Sequence, residues 1–527
     1  MGAVQSTFKT LWLAIKVLLA ANKDIQAILQ RASQPPGLPV PNPTKSYWLA
    51  DPPFPELVDK QSPTLPPDAD IVIIGSGITG AAVARTVLQE RERKGVKSSG
   101  KVVVLEARSL CSGATGRNGG HIKSSPHELF ARLRGTLGAA RAAALTRFQL
   151  AHVGVLTKLC AAEGWDVAEC REVETVDFYL DEADREKAFK EVRELAEYVP
   201  ELEIQMWDAG GAQKKFEVNQ YIKGAISYTA GALWPFRFVS SVWKDLFAKY
   251  EKSLCLETGT AVQSIVTTKQ QGRAYEVVTS RGTIKCDYVV HATNSFATQF
   301  VPGLRGKMTG FLAHMSAQRP GKQFPDLDGS RSWSVIYGSA FDYVTQRPTV
   351  NGRPGDIMLG GGFSRSRNDG LSSIGIWDDS KMDALPIAHI SGIFPTIFEP
   401  HWGNEAEGGR TKQTWSGIVA ATGDLLPFVG RLDPELTGRS PGTRRKDSED
   451  VHPGEWISAG YCGDGMVWAW LSGTALGLML TGSDQEQTLK VPGRPGGRLE
   501  DWFPHELTPT LQRVKRASLE SLADLFL

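Results

Sequence analysis

Six residues, Gly75-Ser76-Gly77-Ile78-Thr79-Gly80, have the types and spacing to hold the pyrophosphate of a dinucleotide. The first glycine permits a tight turn, the second lets bare backbone approach phosphate oxygens, and free N–H groups at the start of a following helix favour negative charge. Such a turn needs a strand before it and a helix after it. Residues 71–74 (IVII) are a β-branched run suited to a parallel strand buried on both faces, and Gly80, Ala81, Ala82 and Ala84 make a helix small enough to lie against it. Taken alone the glycine turn is weak, because any tight surface turn can carry those residues. Its context is stronger: residues 101–106 (KVVVLE) read as a second buried strand that ends in Glu106, an acid able to accept hydrogen bonds from ribose hydroxyls. A charged connection at 91–100 accounts for the acid lying beyond the roughly 20 residues of the minimal fingerprint.

Directly after Glu106 comes a loop of small residues, Ala107 and Arg108 followed by Ser112-Gly113-Ala114-Thr115-Gly116-Arg117-Asn118-Gly119-Gly120-His121. Its glycines allow backbone to approach a flat ligand, while Thr115, Arg117 and Asn118 supply donors for phosphate or ring oxygens. The alternative is a flexible surface turn, which its length and its place after the second strand disfavour.

The segments GSGITG, VVVLEA and SGATGRNGGH together resemble the flavin-dependent amine oxidoreductases of the D-amino-acid oxidase superfamily, most closely the branch that includes gamma-glutamylputrescine oxidase. The resemblance implies an α/β fold, a glutathione-reductase-type FAD-binding Rossmann domain with an interleaved antiparallel-sheet substrate domain. In such a fold Gly75 to Gly80 hold the pyrophosphate, Glu106 the adenosine ribose, and the loop with Ser112, Thr115, Arg117 and Asn118 surrounds pyrophosphate and isoalloxazine. Val262 matches a position whose backbone touches adenine, and Ala292 and Thr293 end a strand beneath the cofactor. Gly463, Asp464, Gly465 and Met466 open a helix (467–480) whose N–H groups face the flavin's pyrimidine oxygen. The implied order is an N-terminal helix and Pro-rich arm (1–68), FAD-binding segments at 69–165, 231–301 and 414–482, substrate segments at 166–230 and 302–413, and a tail at 483–527.

The implied reaction oxidises the C–N bond of an amine or amino acid by hydride transfer to FAD, with dioxygen or another acceptor. No side-chain base is obligatory if the amine binds unprotonated. Relatives that attach flavin covalently use a cysteine where Gly417 stands or a histidine where Arg117 stands, so non-covalent FAD is expected. Met358 stands where oxidase relatives carry an oxygen-activating lysine. Cys462, beside the expected flavin contact, reads better as an inert buried thiol than a reactive one. Tyr337, Tyr343 and Arg347 lie on strands of the expected substrate sheet, where Arg347 could grip a carboxylate with two donors; His314 and Trp234 are further candidates, each set against a core or surface role. A flavoprotein acting on a secondary metabolite and a non-catalytic, membrane-associated flavin protein are the alternative functions.

The supporting elements follow from periodicity. Apolar residues recur at helical spacing over 126–163 and 181–198, while 172–180, 224–230, 331–337, 342–346 and 356–359 alternate as strands. The 527 residues exceed what one core holds. With 59 Lys and Arg against 58 Asp and Glu there is no basic field to attract nucleic acid. Six scattered cysteines suit a reduced, cytoplasmic protein, and the dispersed histidines give no metal-ligand spacing. Met1-Gly2-Ala3-Val4-Gln5-Ser6 fits the N-myristoylation pattern, which would bring a membrane surface in as partner, and residues 11–21 are apolar but shorter than the ~20 residues a bilayer span needs. Residues 34–67 are Pro-rich and read as an extended surface arm without chemistry.

Overall fold

A computed structural model describes residues 23, 25–96, 100–268, 272–338, 340–441 and 451–520. The myristoylation pattern and the apolar segment at 11–21 lie outside these residues. Among the described residues no helix is long and apolar enough to cross a membrane.

The strand Ile71–Ile74 is buried along its whole length and pairs in parallel with Val102–Leu105 on one side and Tyr288–His291 on the other. Burial on both faces explains why these strands carry continuous Val and Ile rather than an alternation. The sheet extends to Leu254–Glu257 at one edge and to Gly454–Ala459 and the antiparallel Phe428–Arg431 at the other, six strands in all. The helix Ile78–Arg93 lies against it, and Ala469–Leu480 packs on that helix where Gly473 and Gly477 face Ala82 and Thr86. A three-stranded sheet of Val262–Thr267, Tyr275–Thr279 and Gly282–Cys286 flanks this layer.

The second layer is a nine-stranded sheet in the order Thr411–Thr422, Met308–Gln318, Ile357–Gly361, Ala340–Gln346, Arg331–Tyr337, Arg171–Tyr179, Gly224–Ala232 and His121–Ile122, with Gln205–Asp208 also on Gly224–Ala232. It is antiparallel except where Arg331–Tyr337 runs parallel to Arg171–Tyr179. The chain therefore alternates between the two sheets. Thr411–Thr422 stays in the large sheet past residue 413, and His121–Ile122 already enters it from within the first nucleotide segment.

Two readings of local structure change. The stretch 302–412 also contains the helix Ala384–Ile397, capped by Asp383 and packed through Ile390 and Phe394 on the large sheet's outer face. The Pro-rich arm does lie extended, but its centre is interior: Trp48 is 1% exposed and Ser46 donates to the Gly116 carbonyl at 2.7 Å. Proline forbids a long helix but not burial, and the 3-10 turn Tyr47–Leu49 and the helix Pro55–Val58, with Pro55 in its first turn, punctuate it.

Candidate functional site

The glycine turn joins the Ile71–Ile74 strand to the Ile78–Arg93 helix. Gly75 has φ +111°, and a Cβ there would stand 2.5 Å from the Ala292 carbonyl oxygen, so the residue that follows the Tyr288–His291 strand presses directly on the turn. A Cβ on Gly77 would meet Thr115 Oγ1 at 2.8 Å, which leaves a bare-backbone cradle between turn and loop. Thr115 Oγ1 accepts from Ile78 N at 3.2 Å. Glu106, at the end of the second strand, accepts from Ser76 Oγ at 2.7 Å and Arg108 N at 3.1 Å. Ser76 also accepts from Cys111 N at 2.8 Å, and Thr79 meets the Tyr461 hydroxyl at 2.8 Å. Two buried hydroxyls at the cradle's rim, those of Ser112 and Thr293, make no hydrogen bond within the protein. Bare backbone, a terminal acid and unspent donors form a surface that fits a dinucleotide cofactor.

The loop after Glu106 corrects part of the expectation. Arg117 does not present its donors to a ligand: Nε donates to Ser112 O at 2.9 Å, and the two Nη groups donate to Ser416 O at 2.8 Å, Thr44 O at 2.8 Å and Thr44 Oγ1 at 3.1 Å. Arg108 is likewise held by Asp379 at 3.0 Å. Asn118 braces its own loop, accepting from Gly120 N at 2.7 Å and donating to Thr115 O at 3.1 Å. A buried guanidinium is too costly to leave unpaired, so these side chains shape the loop and leave the close approach to its glycines. Val262 is buried at the start of its strand. Gly463 and Asp464 are exposed in the turn before Gly465 and Met466, with Cys462 at φ +51°. Burial pushes the Cys462 thiol up to about 11, which keeps it protonated and inert at neutral pH.

The large sheet faces this loop with one set of alternate residues. Gly119 sits against Tyr343, where a Cβ would come within 2.5 Å of the ring, and Gly360 leaves room for the Tyr343 hydroxyl and the Met315 sulfur. Tyr343 donates to Met315 Sδ at 3.1 Å, and Thr345 donates to Gly119 O at 2.7 Å. Further along the same face, His121 Nε2 meets Ser332 Oγ at 2.8 Å, and Lys123 Nζ pairs with Asp177 and donates to Ser334 Oγ at 2.5 Å. Tyr228 completes the group by donating to Asp177 Oδ2 at 3.0 Å.

The three proposed catalytic side chains are not brought together. Strand parity puts Tyr337 and His314 on the opposite face. There Tyr337 contacts Asp342 at 3.2 Å and His389 at 3.0 Å, while His314 accepts from Asp383 N at 2.9 Å. Arg347, past the end of its strand, is spent on Glu169 at 2.6 Å and Tyr47 at 2.6 Å, and its guanidinium lies over the Trp234 ring, 4.4 Å from the centroid. Lys123, Asp177 and Tyr228, which sequence reading passed over, occupy the facing side instead. One signal was available: Lys123 closes the same glycine loop, two residues beyond His121.

A mostly parallel sheet with a glycine turn at the end of an internal strand, set beside a large and mostly antiparallel sheet, defines a two-sheet protein of the dinucleotide-binding class. Residues 70–477 match the DAO family, FAD dependent oxidoreductase, and the chain belongs to that family. The probable oxidoreductase OrdL of Haemophilus influenzae is 20% identical over 444 residues, covering 82% of this chain and 88% of its own length. Among solved structures, L-proline dehydrogenase from P. horikoshii aligns with a TM-score of 0.59 and 19% identity over 86% of this chain and 100% of that one. L-amino acid deaminase from Proteus vulgaris, with its specific insertion sequence deleted, aligns at 0.57 and 17% identity over 83% and 96% of the two chains. At these identities the structural likeness speaks to fold.

Proposed function

We propose that the protein oxidises the C–N bond of an amine or amino acid, with non-covalent FAD held along the Gly75–Gly80 turn and the 112–120 loop. The observation that supports this reading is the apposition of Gly119 to the Tyr343 ring together with the hydrogen bond that its carbonyl accepts from Thr345, which bring the 112–120 loop against one face of the large sheet. When bound there, FAD would supply two-electron oxidation at the carbon next to nitrogen, with dioxygen or another acceptor as the final electron sink. The chain's own residues bind and orient. Ser112 and Thr293 offer hydroxyls to the cofactor, Glu106 has lone pairs left for ribose, and Tyr343 with Met315 fixes the wall against which the substrate carbon is held. Gly417 packs beside Arg117, and neither position supplies a cysteine or histidine for covalent attachment. The amino acids named for L-proline dehydrogenase and L-amino acid deaminase support the reading by analogy. Anaerobic addition of a broad amine and amino-acid panel should bleach the flavin absorbance of the loaded protein; a panel that leaves it oxidised throughout sinks the proposal.

A further inference from the structure

Tyr343 and Asp342 are neighbours in one strand and face opposite ways, Tyr343 toward the cofactor loop and Asp342 toward the helix Ala384–Ile397. Both faces are locked at the same place. Pairing between Ala340–Gln346 and Ile357–Gly361 ends at Tyr343 and Gly360, after which the backbone bends away through Gly361 at φ +139° and Gly362 at φ +67°. Past that last ladder pair, the Gly362 N–H donates to the Asp342 carboxylate at 2.7 Å. The fit is close on both sides: a Cβ on Gly361 would stand 2.2 Å from Asp342 Oδ1, and one on Gly360 would stand 2.5 Å from the Tyr343 hydroxyl.

Asp342 is 0% exposed, and a carboxylate so buried needs a partner. His389 is that partner, with Nε2 at 2.7 Å from Oδ2. Because a carboxylate only accepts, the bond places a proton on Nε2. Tyr337 adds a third bond at 3.2 Å, the longest of the set, and its loss leaves the other two in place. The helix that carries His389 is itself fixed to the bend. Pro386, one turn earlier, closes on Gly362, where a Cβ would stand 3.1 Å from the Pro386 carbonyl oxygen. At the helix start the Asp383 N–H donates to His314, the residue that pairs with Gly361. Helix, imidazole, carboxylate and glycine bend thus form one clamp, back to back with the wall made by Tyr343.

We infer that Asp342 and His389 are positioning residues for the oxidation: they hold the Gly360–Gly362 bend from the outer face and thereby set where Tyr343 stands against Gly119 and the cofactor loop. A misplacement of about 1 Å costs on the order of 10²-fold in rate, so a clamp that never meets substrate can govern turnover. Turnover enters only through the amine-oxidation reading, on which the inference rests for its reaction; the effect on the cofactor loop is read separately, from FAD affinity.

The test is a double-mutant cycle between His389→Leu and Tyr343→Ala, read by FAD affinity from flavin fluorescence quenching and by the rate of anaerobic bleaching with an amine that reduces the wild type. His389→Leu should slow bleaching about tenfold and weaken FAD binding about threefold or more. His389→Gln, which keeps an N–H donor for Asp342, should stay within about twofold of the wild type in both. In the Tyr343→Ala background His389→Leu should change neither quantity by more than about twofold, because the residue through which it acts is gone. Where the carboxylate left alone by His389→Leu prevents folding, Asp342→Leu combined with His389→Leu removes both members of the pair and takes its place in the cycle. Wild-type values in His389→Leu, effects of the two substitutions that simply multiply, or a His389→Gln as impaired as His389→Leu overturn the inference. A wild type that no amine bleaches overturns the proposed reaction instead, and the FAD-affinity cycle still decides the clamp.

Discussion

Tyr343 and Tyr337 stand six residues apart in one hairpin, yet only Tyr343 faces the cofactor loop, because the connection between their strands places them on opposite sides of the sheet. Tyr343→Ala should lower kcat/KM for any accepted amine by about tenfold or more, through loss of a substrate-positioning wall. Tyr337→Phe, on the far side, should change it less than about twofold. Steady-state kinetics on the two variants checks the assignment, and the reverse order would contradict it. Glu128 gives a second expectation at this scale. Its side chain reaches solvent, yet desolvation of its inner edge and the nearby Asp177 carboxylate raise its pKa above the ordinary glutamate value to about 7, so the folded protein holds the proton more tightly than the unfolded chain. That penalty is absent below the unfolded pKa and complete above the folded one. Thermal melts of Glu128→Gln against wild type should therefore show no difference near pH 4 and an advantage for the variant that grows up to about pH 7.

At the scale of elements, the cofactor loop is held by a buried charge knot. Arg108 and Arg117 converge on Asp379, which is 4% exposed, while Arg117 also ties the arm at Thr44 to the strand at Ser416. Three segments far apart in sequence are thus fixed against the loop that faces Tyr343. Asp379→Leu would leave the buried Arg117 guanidinium and the half-buried one of Arg108 without their carboxylate, and breaking a buried pair costs about 3–5 kcal/mol. Chemical denaturation should show that loss, together with faster FAD release as the loop loosens; unchanged stability would mean the arginines find other acceptors at no cost.

Across the whole molecule, the two sheets are joined by segments outside the fingerprint. Trp48 from the arm donates to Asn118 O at 2.5 Å, and Trp234 donates to Trp48 O at 2.8 Å, stitching arm, loop and the helix Pro235–Tyr250 together. The tail returns to the nucleotide layer, where Arg494 pairs with the buried Glu90 at 2.6 Å. Trp48→Ala should cost about 3–5 kcal/mol by leaving a cavity at this junction. Differential scanning calorimetry would register it, and a loss under 1 kcal/mol would show that the arm is dispensable.

The nucleotide layer was legible in residue order because its signals are local. A β-branched run, a glycine turn and a small-residue helix follow one another within Ile71–Arg93, and backbone sterics alone assign them. Strand positions in the large sheet were legible too, with Arg331–Tyr337 falling where alternation placed it. Which face of those strands meets the cofactor loop was not, because parity fixes only that neighbours point opposite ways, and the helix Ala384–Ile397 decides which way is out. Arg117 looked like a ligand donor since sequence cannot show a partner such as Thr44 or Ser416, 73 and 299 residues away. The sequence by itself determined a dinucleotide cradle and the family's fold. Only the tertiary structure decided that Lys123 is already neutralised by Asp177, because pairing between buried charges depends on a juxtaposition across strands that no local spacing encodes.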